Sequence, residues 1–364
     1  MKKKDFQKII ADGEVFVIAE IGKGFIQTKE DQSVENYLKN AKELVDAALE
    51  TGVQAVKFQT HEYEDEQMNI DVTSPHFKGS DRYSWVKRNT GAASIEFWKE
   101  LKEYTESRGL IFFSTPMSRK SAEKLQSLDV PLWKVGSGDV EDHVMLDFLI
   151  ETKKPIIIST GMVSLSQLDE VVNYITSKGS PLTVLYCVSE YPCPSEKFNL
   201  STIKYLKEKY PNLTIGFSDH SVGDNTVPLA AVSLGAQVIE KHFSLSRDFW
   251  GSDHKVSMTP DEMEDFVEAI KLGSYKNIDV APFLGKKDRE LEGATNQFRP
   301  YFNKSLVFGR DIKAGETITR DMVFAMRPRM YIDGLHANKL HDVLGKKAKK
   351  DFKKYDGIKL DSVE

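Results

Sequence analysis

Short clusters of chemically active side chains follow apolar stretches in this chain of 364 residues. The segment GFSDHS (216–221) ends one such stretch and carries His220, and VIEKHFS (238–244) ends the next and carries His242. Two neutral imidazoles with carboxylates close by suit a divalent transition metal that keeps open positions for water and substrate. The alternative is a pair of structural histidines, each held by its own hydrogen bond.

Two lysines, Lys57 and Lys134, follow other apolar stretches. A buried lysine is rarely tolerated without an anion to pair with. Two lysines in one place repel each other unless a multiply charged anion lies between them. The hydroxyl groups of Ser137, Ser159 and Ser218 could complete such a site by donating hydrogen bonds to a phosphate group. The set therefore predicts binding of a small phosphorylated carboxylate.

The same kind of position, just after a predicted strand, holds further polar side chains. They are Glu20, Gln59, Ser114, Thr115, Thr160, Ser189, Tyr191 and Lys241. Cys187, at the end of another strand, is interpreted as a small buried apolar residue rather than a metal ligand. In a closed barrel of parallel strands, catalytic residues collect where the strands end. All of these side chains are therefore expected around one mouth.

The elements that must position them repeat along residues 1–275, each as a short β-branched run followed by an amphipathic helix. The predicted strands are Val15–Ile21, Val53–Phe58, Leu110–Phe113, Leu132–Val135, Pro155–Ile158, Leu182–Tyr186, Leu213–Phe217 and Gln237–Glu240. Their near-continuous apolar character indicates a parallel sheet buried on both faces. Eight strand–helix units predict an α/β protein with a (β/α)8 TIM barrel. An open doubly wound sheet is the alternative, but EIGKGF (20–25) lacks its glycine-rich phosphate fingerprint.

The pattern changes after the barrel, and we place the catalytic domain at 1–284, a linker at 285–304 and a second domain at 305–364. The linker mixes proline, glycine and charged residues, and the last 60 or so residues form short segments with little helix, near the lower limit for independent folding.

Composition narrows the class of protein. The net charge of −5 gives no general affinity for nucleic acid, and the basic run at 345–354 is expected to be a solvated face. No apolar stretch suits a signal peptide or a membrane span. Two cysteines, Cys187 and Cys193, form no disulfide framework and favour a reducing compartment, so the expected location is the cytoplasm.

Ordered motifs across the chain resemble the sialic acid synthase family. In the barrel they are IAEIG (18–22), AVKFQT (55–60), FSTP (113–116), KVGSGD (134–139), ISTGM (158–162), YPCP (191–194), GFSDH (216–220) and EKHF (240–243). The tail resembles that family's antifreeze-like (SAF, β-clip) domain through KSLVFGRDIKAGETIT (304–319), RP (327–328) and LGKKAKKD (344–351).

The resemblance implies a nonulosonic acid synthase, which condenses phosphoenolpyruvate with an open-chain N-acylated hexose and releases phosphate. N-acetylmannosamine or a deoxy-diacetamido analogue would be the acceptor. Phosphoenolpyruvate would be held by Lys57, Thr115, Lys134, Ser137, Ser159 and Ser218. His220 and His242 would bind the divalent metal, Mn²⁺ or Mg²⁺. The sugar would face Glu20, Gln59, Tyr191 and Asp253. Arg327 would come from the partner subunit of a domain-swapped homodimer.

The motifs depart from the family at the sugar end. Gly24-Phe25-Ile26-Gln27 stands where the family has a polar loop, Asp139 where it commonly has Glu, and Ser189 where it commonly has Asn. Asp139 and Ser189 remain candidate substrate-binding residues. We expect Phe25 and Ile26 to accommodate a deoxy or more heavily acylated sugar, of legionaminic or pseudaminic type.

Two other functions stay open on the sequence. One is a related phosphoenolpyruvate-dependent sugar-phosphate aldolase of octulosonate or heptulosonate type, which would need further basic residues for the phosphate of its substrate. The other is a non-catalytic sugar-binding relative of the barrel. Against it stand Glu20, the two lysines and the two histidines, because binding alone does not require that combination.

Overall fold

The catalytic part of the chain is an eight-stranded parallel barrel, seen in a computed structural model that describes residues 5–75, 77–286 and 296–364. The strand order is β3-β2-β1-β8-β7-β6-β5-β4, and β3 and β4 lie against each other at its two ends, so that the barrel is nearly closed. The strands are β1 Phe16–Gly22, β2 Ala55–Thr60, β3 Ile111–Pro116, β4 Trp133–Val135, β5 Ile156–Ser159, β6 Leu182–Cys187, β7 Thr214–Asp219 and β8 Val238–His242. The predicted TIM barrel is confirmed.

Helices cover the outside of the barrel. They are α1 Phe6–Ala11, α2 Val34–Glu50, α3 Tyr63–Glu66, α4 Arg82–Ala92, α5 Ile95–Ser107, α6 Arg119–Ser127, α7 His143–Glu151, α8 Leu165–Thr176, α9 Ser201–Lys209, α10 Thr226–Ser233 and α11 Pro260–Lys271. Helix α8 shows why they begin where they do: Ser164 and Gln167 form a reciprocal capping box at its first turn. Its buried residues Leu168, Val171 and Ile175 recur at helical spacing and face the strands.

The barrel interior is apolar towards the amino ends of the strands and polar towards their carboxyl ends. Residues such as Phe16, Phe113 and Val238 fill the apolar end, and Phe6 of α1 closes it with its ring centroid 5.0 Å from that of Phe16. Side chains alternate across a strand, so two residues beyond Val238 the inward position belongs to Glu240. The polar end of the barrel is therefore the mouth.

The second domain has a two-stranded antiparallel sheet, β9 Ser305–Phe308 and β10 Val323–Met326. The rest consists of turns and short 3-10 segments around a small apolar core that includes Phe308 and Val343. This SAF domain lies over the barrel mouth, where Arg327 forms a parallel bridge with Gln67.

The predicted linker lies partly outside the described residues, which omit 287–295. Its last part carries a short helix, α12 Arg299–Phe302, whose Phe302 enters the mouth. Within the described residues, no helix has the length and apolar character that crossing a membrane requires.

Candidate active site

One cavity of about 130 Å³ opens at the barrel mouth beneath the SAF domain. Seven of the candidate site residues line it: Gln59, Ser137, Asp139, Tyr191, His242, Asp253 and Arg327. The sequence analysis gave no role to Lys23, His61, Arg82, Met117, Met162, Phe298 and Phe302, which also line it. The cavity therefore combines strand ends, which the motifs identified, with loops and the linker, which they did not.

The floor of the mouth is a closed network of buried charges. Lys57 Nζ lies 2.6 Å from Glu20 Oε2 and 3.6 Å from Glu240 Oε2, and it donates to Thr115 Oγ1 at 3.0 Å. Strand register explains the first pair, because Glu20 of β1 stands opposite Lys57 of β2. Although burial lowers the pKa of Lys57, the two carboxylates outweigh it and raise the pKa above its ordinary value. Lys57 is therefore a fixed cation.

Lys134 completes this network from the opposite side. Its Nζ lies 3.8 Å from Glu240 Oε2 and donates to Ser159 Oγ at 2.7 Å, while Ser218 Oγ donates to Glu240 Oε1 at 3.0 Å. Burial and the charge of Lys57 lower the pKa of Lys134, against the opposing effect of Glu240. The anion expected between the two lysines is present in the protein itself, as the carboxylate of Glu240.

Glu240 and Glu20 respond differently to the same burial. For Glu240, burial favours the neutral acid, but Lys134 and Lys57 outweigh it and lower its pKa to about 2. For Glu20, burial raises the pKa, with Glu240 adding to the rise and Lys57 opposing it. The floor thus holds one carboxylate that stays ionised and one that binds a proton more readily than an ordinary glutamate.

Two side chains expected at the mouth point away from it. Lys241 lies outside the barrel wall, where its Nζ is 2.8 Å from Asp219 Oδ2, and Ser114 bonds Thr60 at 2.8 Å on the same outer side. The cause is the two-residue period of a strand, since Lys241 stands between the inward-facing Glu240 and His242. The expectation for Lys241 and Ser114 was therefore wrong.

The two histidines lie side by side, with ring centroids 5.5 Å apart. His220 Nδ1 is 2.8 Å from the carbonyl oxygen of Val188, so Nδ1 carries the proton and Nε2 keeps its lone pair. His242 Nδ1 is buried without a hydrogen-bond partner among the described residues, and burial lowers the pKa of His242 to about 3. Burial also acts to lower the pKa of His220, but Cys187 and the carbonyl of Val188 outweigh it and raise that pKa. In their neutral forms, two imidazoles with free ring nitrogens fit a divalent cation that takes its other ligands from water or substrate.

No third histidine, cysteine or carboxylate completes a ligand group with them in the parts of the chain that the structure describes. The ring of Tyr191 covers them instead, with its centroid 4.1 Å from that of His220. Cys187 lies beside the pair, its Sγ 4.0 Å from His220 Nδ1.

A serine-rich wall stands next to the histidines. Gly161 N–H donates to Ser137 Oγ at 3.0 Å, and a side chain at Gly161 would collide with Ser189 Oγ and Cys187 Sγ. Ser189 Oγ is buried and has no hydrogen-bond partner within the described part of the chain. The structure thus brings Ser137 and Ser189 together around a glycine that leaves room for them.

A chain of polar contacts leads from the floor to the outer end. Gln59 Nε2 donates to Glu20 Oε1 at 2.8 Å, Lys23 Nζ donates to Gln59 Oε1 at 2.7 Å, and Lys23 Nζ lies 3.2 Å from Asp253 Oδ2. Gln59 and Asp253 were candidates for facing the sugar. Lys23 lies in the loop after β1. The sequence analysis assigned a role to Phe25 and Ile26 of this loop but none to Lys23.

Phe25 and Ile26 do not face the cavity. The Phe25 ring packs between the barrel and its helices, with centroids 5.2 Å from Phe97 and 6.1 Å from both Trp98 and Tyr37, and Ile26 is fully buried. The loop turns tightly at Gly24, whose N–H donates to Ile21 O at 2.7 Å, and this turn directs the next residues into the core. The expectation that they accommodate the sugar was wrong.

The SAF domain closes the mouth from the same chain. Arg327 Nη2 lies 2.5 Å from Asp139 Oδ1, and Lys304 Nζ lies 2.9 Å from both Asp139 and Asp142. All four side chains are almost fully buried. We expected Arg327 to come from a partner subunit, but here its own chain delivers it to Asp139. Lys304 is the first residue of the motif KSLVFGRDIKAGETIT, but the sequence analysis gave it no role in the site.

Comparisons with known proteins agree with this architecture. The NeuB family model matches residues 44–276 and the SAF domain model matches residues 303–364. The chain is 33% identical to pseudaminic acid synthase of Campylobacter jejuni over 355 residues, covering 96% of each chain. It is 30% identical to N-acetylneuraminate-9-phosphate synthase of Mus musculus over 356 residues, covering 96% of this chain and 92% of that one.

Among solved structures, the chain is similar to the spore coat polysaccharide biosynthesis protein SpsE of Bacillus subtilis. The TM-score is 0.77 at 30% identity, over 96% of this chain and 95% of that one. The match spans both the barrel and the SAF domain. The protein is therefore an enzyme of the NeuB family that carries a C-terminal SAF domain.

Proposed function

We propose that this enzyme condenses phosphoenolpyruvate with the open-chain aldehyde of an N-acylated hexose, forming a nonulosonic acid and releasing phosphate. The observation that carries the proposal is the floor network, in which Lys57 and Lys134 share the carboxylate of Glu240 at 3.6 and 3.8 Å. Two buried lysines, joined to the polar cavity through Glu20 and Gln59, suit a small anion with both a carboxylate and a phosphate.

The donor would be held by the floor. Lys57 and Lys134 would neutralise its charge, and the hydroxyl groups of Thr115, Ser159 and Ser218 already point at the same network. Ser137 would donate from the neighbouring wall. Because these groups are held by strands and by each other, they need no rearrangement as negative charge develops on the phosphate during carbon–oxygen cleavage.

Glu20 would carry the proton. In the proposed reaction C3 of phosphoenolpyruvate bonds to the aldehyde carbon, water adds at C2, and the resulting tetrahedral carbon expels phosphate as the keto group forms. Burial raises the pKa of Glu20, so its carboxyl group binds a proton more readily than an ordinary glutamate. It would pass that proton between the attacking water and the aldehyde oxygen. Gln59 orients it by donating to Oε1 at 2.8 Å.

His220 and His242 would hold a divalent metal, Mn²⁺ or Mg²⁺. When bound there, such an ion supplies Lewis-acid polarisation of a carbonyl oxygen. The protein's part is to keep His242 neutral through burial and to fix the His220 tautomer through Val188 O. Chelation should abolish phosphate release and added Mn²⁺ should restore it.

The direct test is phosphate release from phosphoenolpyruvate with Mn²⁺ and a panel of N-acylated hexosamines, with the acid product identified by mass spectrometry. We expect release only with an aldose acceptor and a product heavier than that aldose by the pyruvate unit. Use of a four- or five-carbon aldose phosphate without an N-acyl group, in preference to these hexosamines, would favour the sugar-phosphate aldolase instead. No release with any acceptor would favour a non-catalytic relative.

We also propose a cytoplasmic homodimer in which the SAF domains are exchanged. The free thiols of Cys187 and Cys193 fit a reducing compartment. The exposed side chains of Met330 and Tyr331 on the SAF domain offer apolar surface for association. Mixing inactive Arg327→Ala and Lys134→Met chains tests the exchange. A swapped dimer would regain activity, because one of its sites combines an intact barrel with an intact Arg327. If each SAF domain covers the barrel of its own chain, no activity would be recovered.

A further inference from the structure

One arginine in the cavity is buried without an ion-pair partner among the described residues. Arg82 at the start of α4 is only 6% exposed, and in those residues its Nε has no hydrogen-bond partner. No carboxylate forms an ion pair with it in residues 5–75, 77–286 and 296–364, whereas its neighbour Arg327 is paired with Asp139. The ring of Phe302 covers its guanidinium at 4.6 Å. Burial and the charge of Arg327 lower the pKa of Arg82 to about 10, so it remains a cation.

A second unsatisfied group lines the same cavity with the opposite hydrogen-bonding character. His61 Nδ1 lies 2.8 Å from Glu66 Oε2, and because a carboxylate only accepts, Nδ1 carries the proton. His61 Nε2 is buried and has no hydrogen-bond partner among the described residues. Burial lowers the pKa of His61 more than Glu66 raises it. The ring is therefore neutral and presents an acceptor lone pair.

These two groups lie at the outer end of the cavity. His61 follows the last residue of β2, and Arg82 belongs to a helix outside the barrel and contacts Phe302 of the linker helix α12. The aldehyde carbon of the acceptor must reach the lysines at the floor, so its neighbouring C2 substituent also stays deep. Arg82 and His61 would therefore meet a substituent farther along the sugar chain.

We propose that Arg82 and His61 form a subsite for a second acylamino group of the acceptor, remote from the aldehyde carbon. The guanidinium donates to the amide oxygen and His61 Nε2 accepts the amide N–H, which matches the one acceptor and one donor that an amide offers. Phe302, which covers Arg82, and the methionines Met117 and Met162 of the same cavity lining suit the acyl methyl group. This inference rests on the proposed function and narrows its acceptor to a diacylated sugar.

The same arrangement disfavours a phosphorylated acceptor. A phosphate group is an acceptor of hydrogen bonds, so it would satisfy Arg82 but would face the lone pair of His61. The carboxylates of Glu66, Asp139 and Asp253 act on Arg82 across the same region and would repel a dianion.

The test compares two acceptors, a diacetamido-trideoxy hexose and N-acetylmannosamine, by kcat/KM for phosphate release from phosphoenolpyruvate. We expect the wild type to prefer the diacetamido sugar. Arg82→Met and His61→Phe should each reduce that preference about tenfold to hundredfold, because each leaves a polar group of the amide unpaired. Arg82→Lys should give a smaller loss, and thermal unfolding of each variant shows whether it is folded.

Arg88→Met is the matched control on the same helix. Arg88 bonds Asp31 and the carbonyl of Glu30 outside the cavity, so its loss should leave the preference unchanged. Equal losses for both sugars in Arg82→Met, or a wild-type preference for N-acetylmannosamine or its 6-phosphate, would overturn the inference while phosphate release upholds the proposed function. If no acceptor gives release, the Kd of the diacetamido sugar for wild type and Arg82→Met decides the inference alone, and equal Kd values would overturn it.

Discussion

The two ends of the cavity differ in how their charges are satisfied. At the floor, Lys57, Lys134, Glu20 and Glu240 form one network in which every charge has an opposite charge within 4 Å. At the outer end, Arg82 has no such partner among the described residues. A satisfied network keeps its geometry without ligand, whereas an unsatisfied buried group gains most when a ligand arrives. The floor thus suits the common chemistry of the family and the outer end suits the choice of acceptor.

The largest expected effect follows from breaking the floor. Lys134→Met removes the donor to Ser159 and one cation beside Glu240, so we expect kcat/KM for phosphoenolpyruvate to fall by about a thousandfold or more. Steady-state phosphate release measures it.

Lys241→Met is its control, because Lys241 is equally buried but pairs with Asp219 outside the barrel. It should mainly destabilise the fold, by about 3–5 kcal/mol, since it leaves Asp219 buried and uncompensated. If Lys241→Met folds normally and loses activity as Lys134→Met does, the two faces of the strand have been assigned wrongly.

The next largest effect separates the core from the outer end. Phe25→Ala should lower the free energy of unfolding by about 3 kcal/mol, because removing the ring leaves a cavity in the aromatic cluster of the core. The ratio of kcat/KM values for two acceptor sugars should stay the same, since Phe25 does not reach the cavity. Chemical denaturation and the two-sugar assay check both parts, and a changed ratio would return Phe25 to the sugar site.

Sequence reasoning located the strand-end residues of the floor but missed several residues of the outer end, for a physical reason. Lys57, Lys134, Ser159 and Ser218 stand at strand ends, and the barrel topology alone brings strand ends together. Lys241 was misplaced only because one residue along a strand reverses the face.

The outer end is built by residues that no strand period locates. Arg82 begins a helix, Phe302 ends the linker, and Lys304 and Arg327 act through the fold of a second domain. Phe25 shows the same difficulty in reverse, because one tight turn at Gly24 decided whether the loop faced the cavity or the core.

A smaller effect probes the proton carrier at the floor. Glu20→Gln should reduce kcat by about a hundredfold. Because burial raises the pKa of Glu20 above its ordinary 4.5, the ionised form is lost as the pH falls through that raised value. Wild-type kcat/KM should therefore decline on the acid side at a midpoint above 4.5, and this limb should vanish in Glu20→Gln. An unchanged acid limb in the variant would assign the titration to another group.

The smallest effect is expected on the basic run of the SAF domain. Lys353 is exposed and pairs with Asp311 at 2.7 Å. Lys353→Ala should leave the free energy of unfolding and both acceptor rates nearly unchanged, because solvent screens an exposed ion pair. Loss of activity in this variant would show that the run is more than a solvated face.

The contrast between the two ends is tested most directly by the Kd of phosphoenolpyruvate, measured by titration calorimetry with Mn²⁺ on wild type, Lys134→Met and Arg82→Met. Donor binding should weaken at least about a hundredfold without Lys134 and remain at the wild-type value without Arg82. Equal weakening in both variants, or none in Lys134→Met, would contradict the assignment of the donor to the floor.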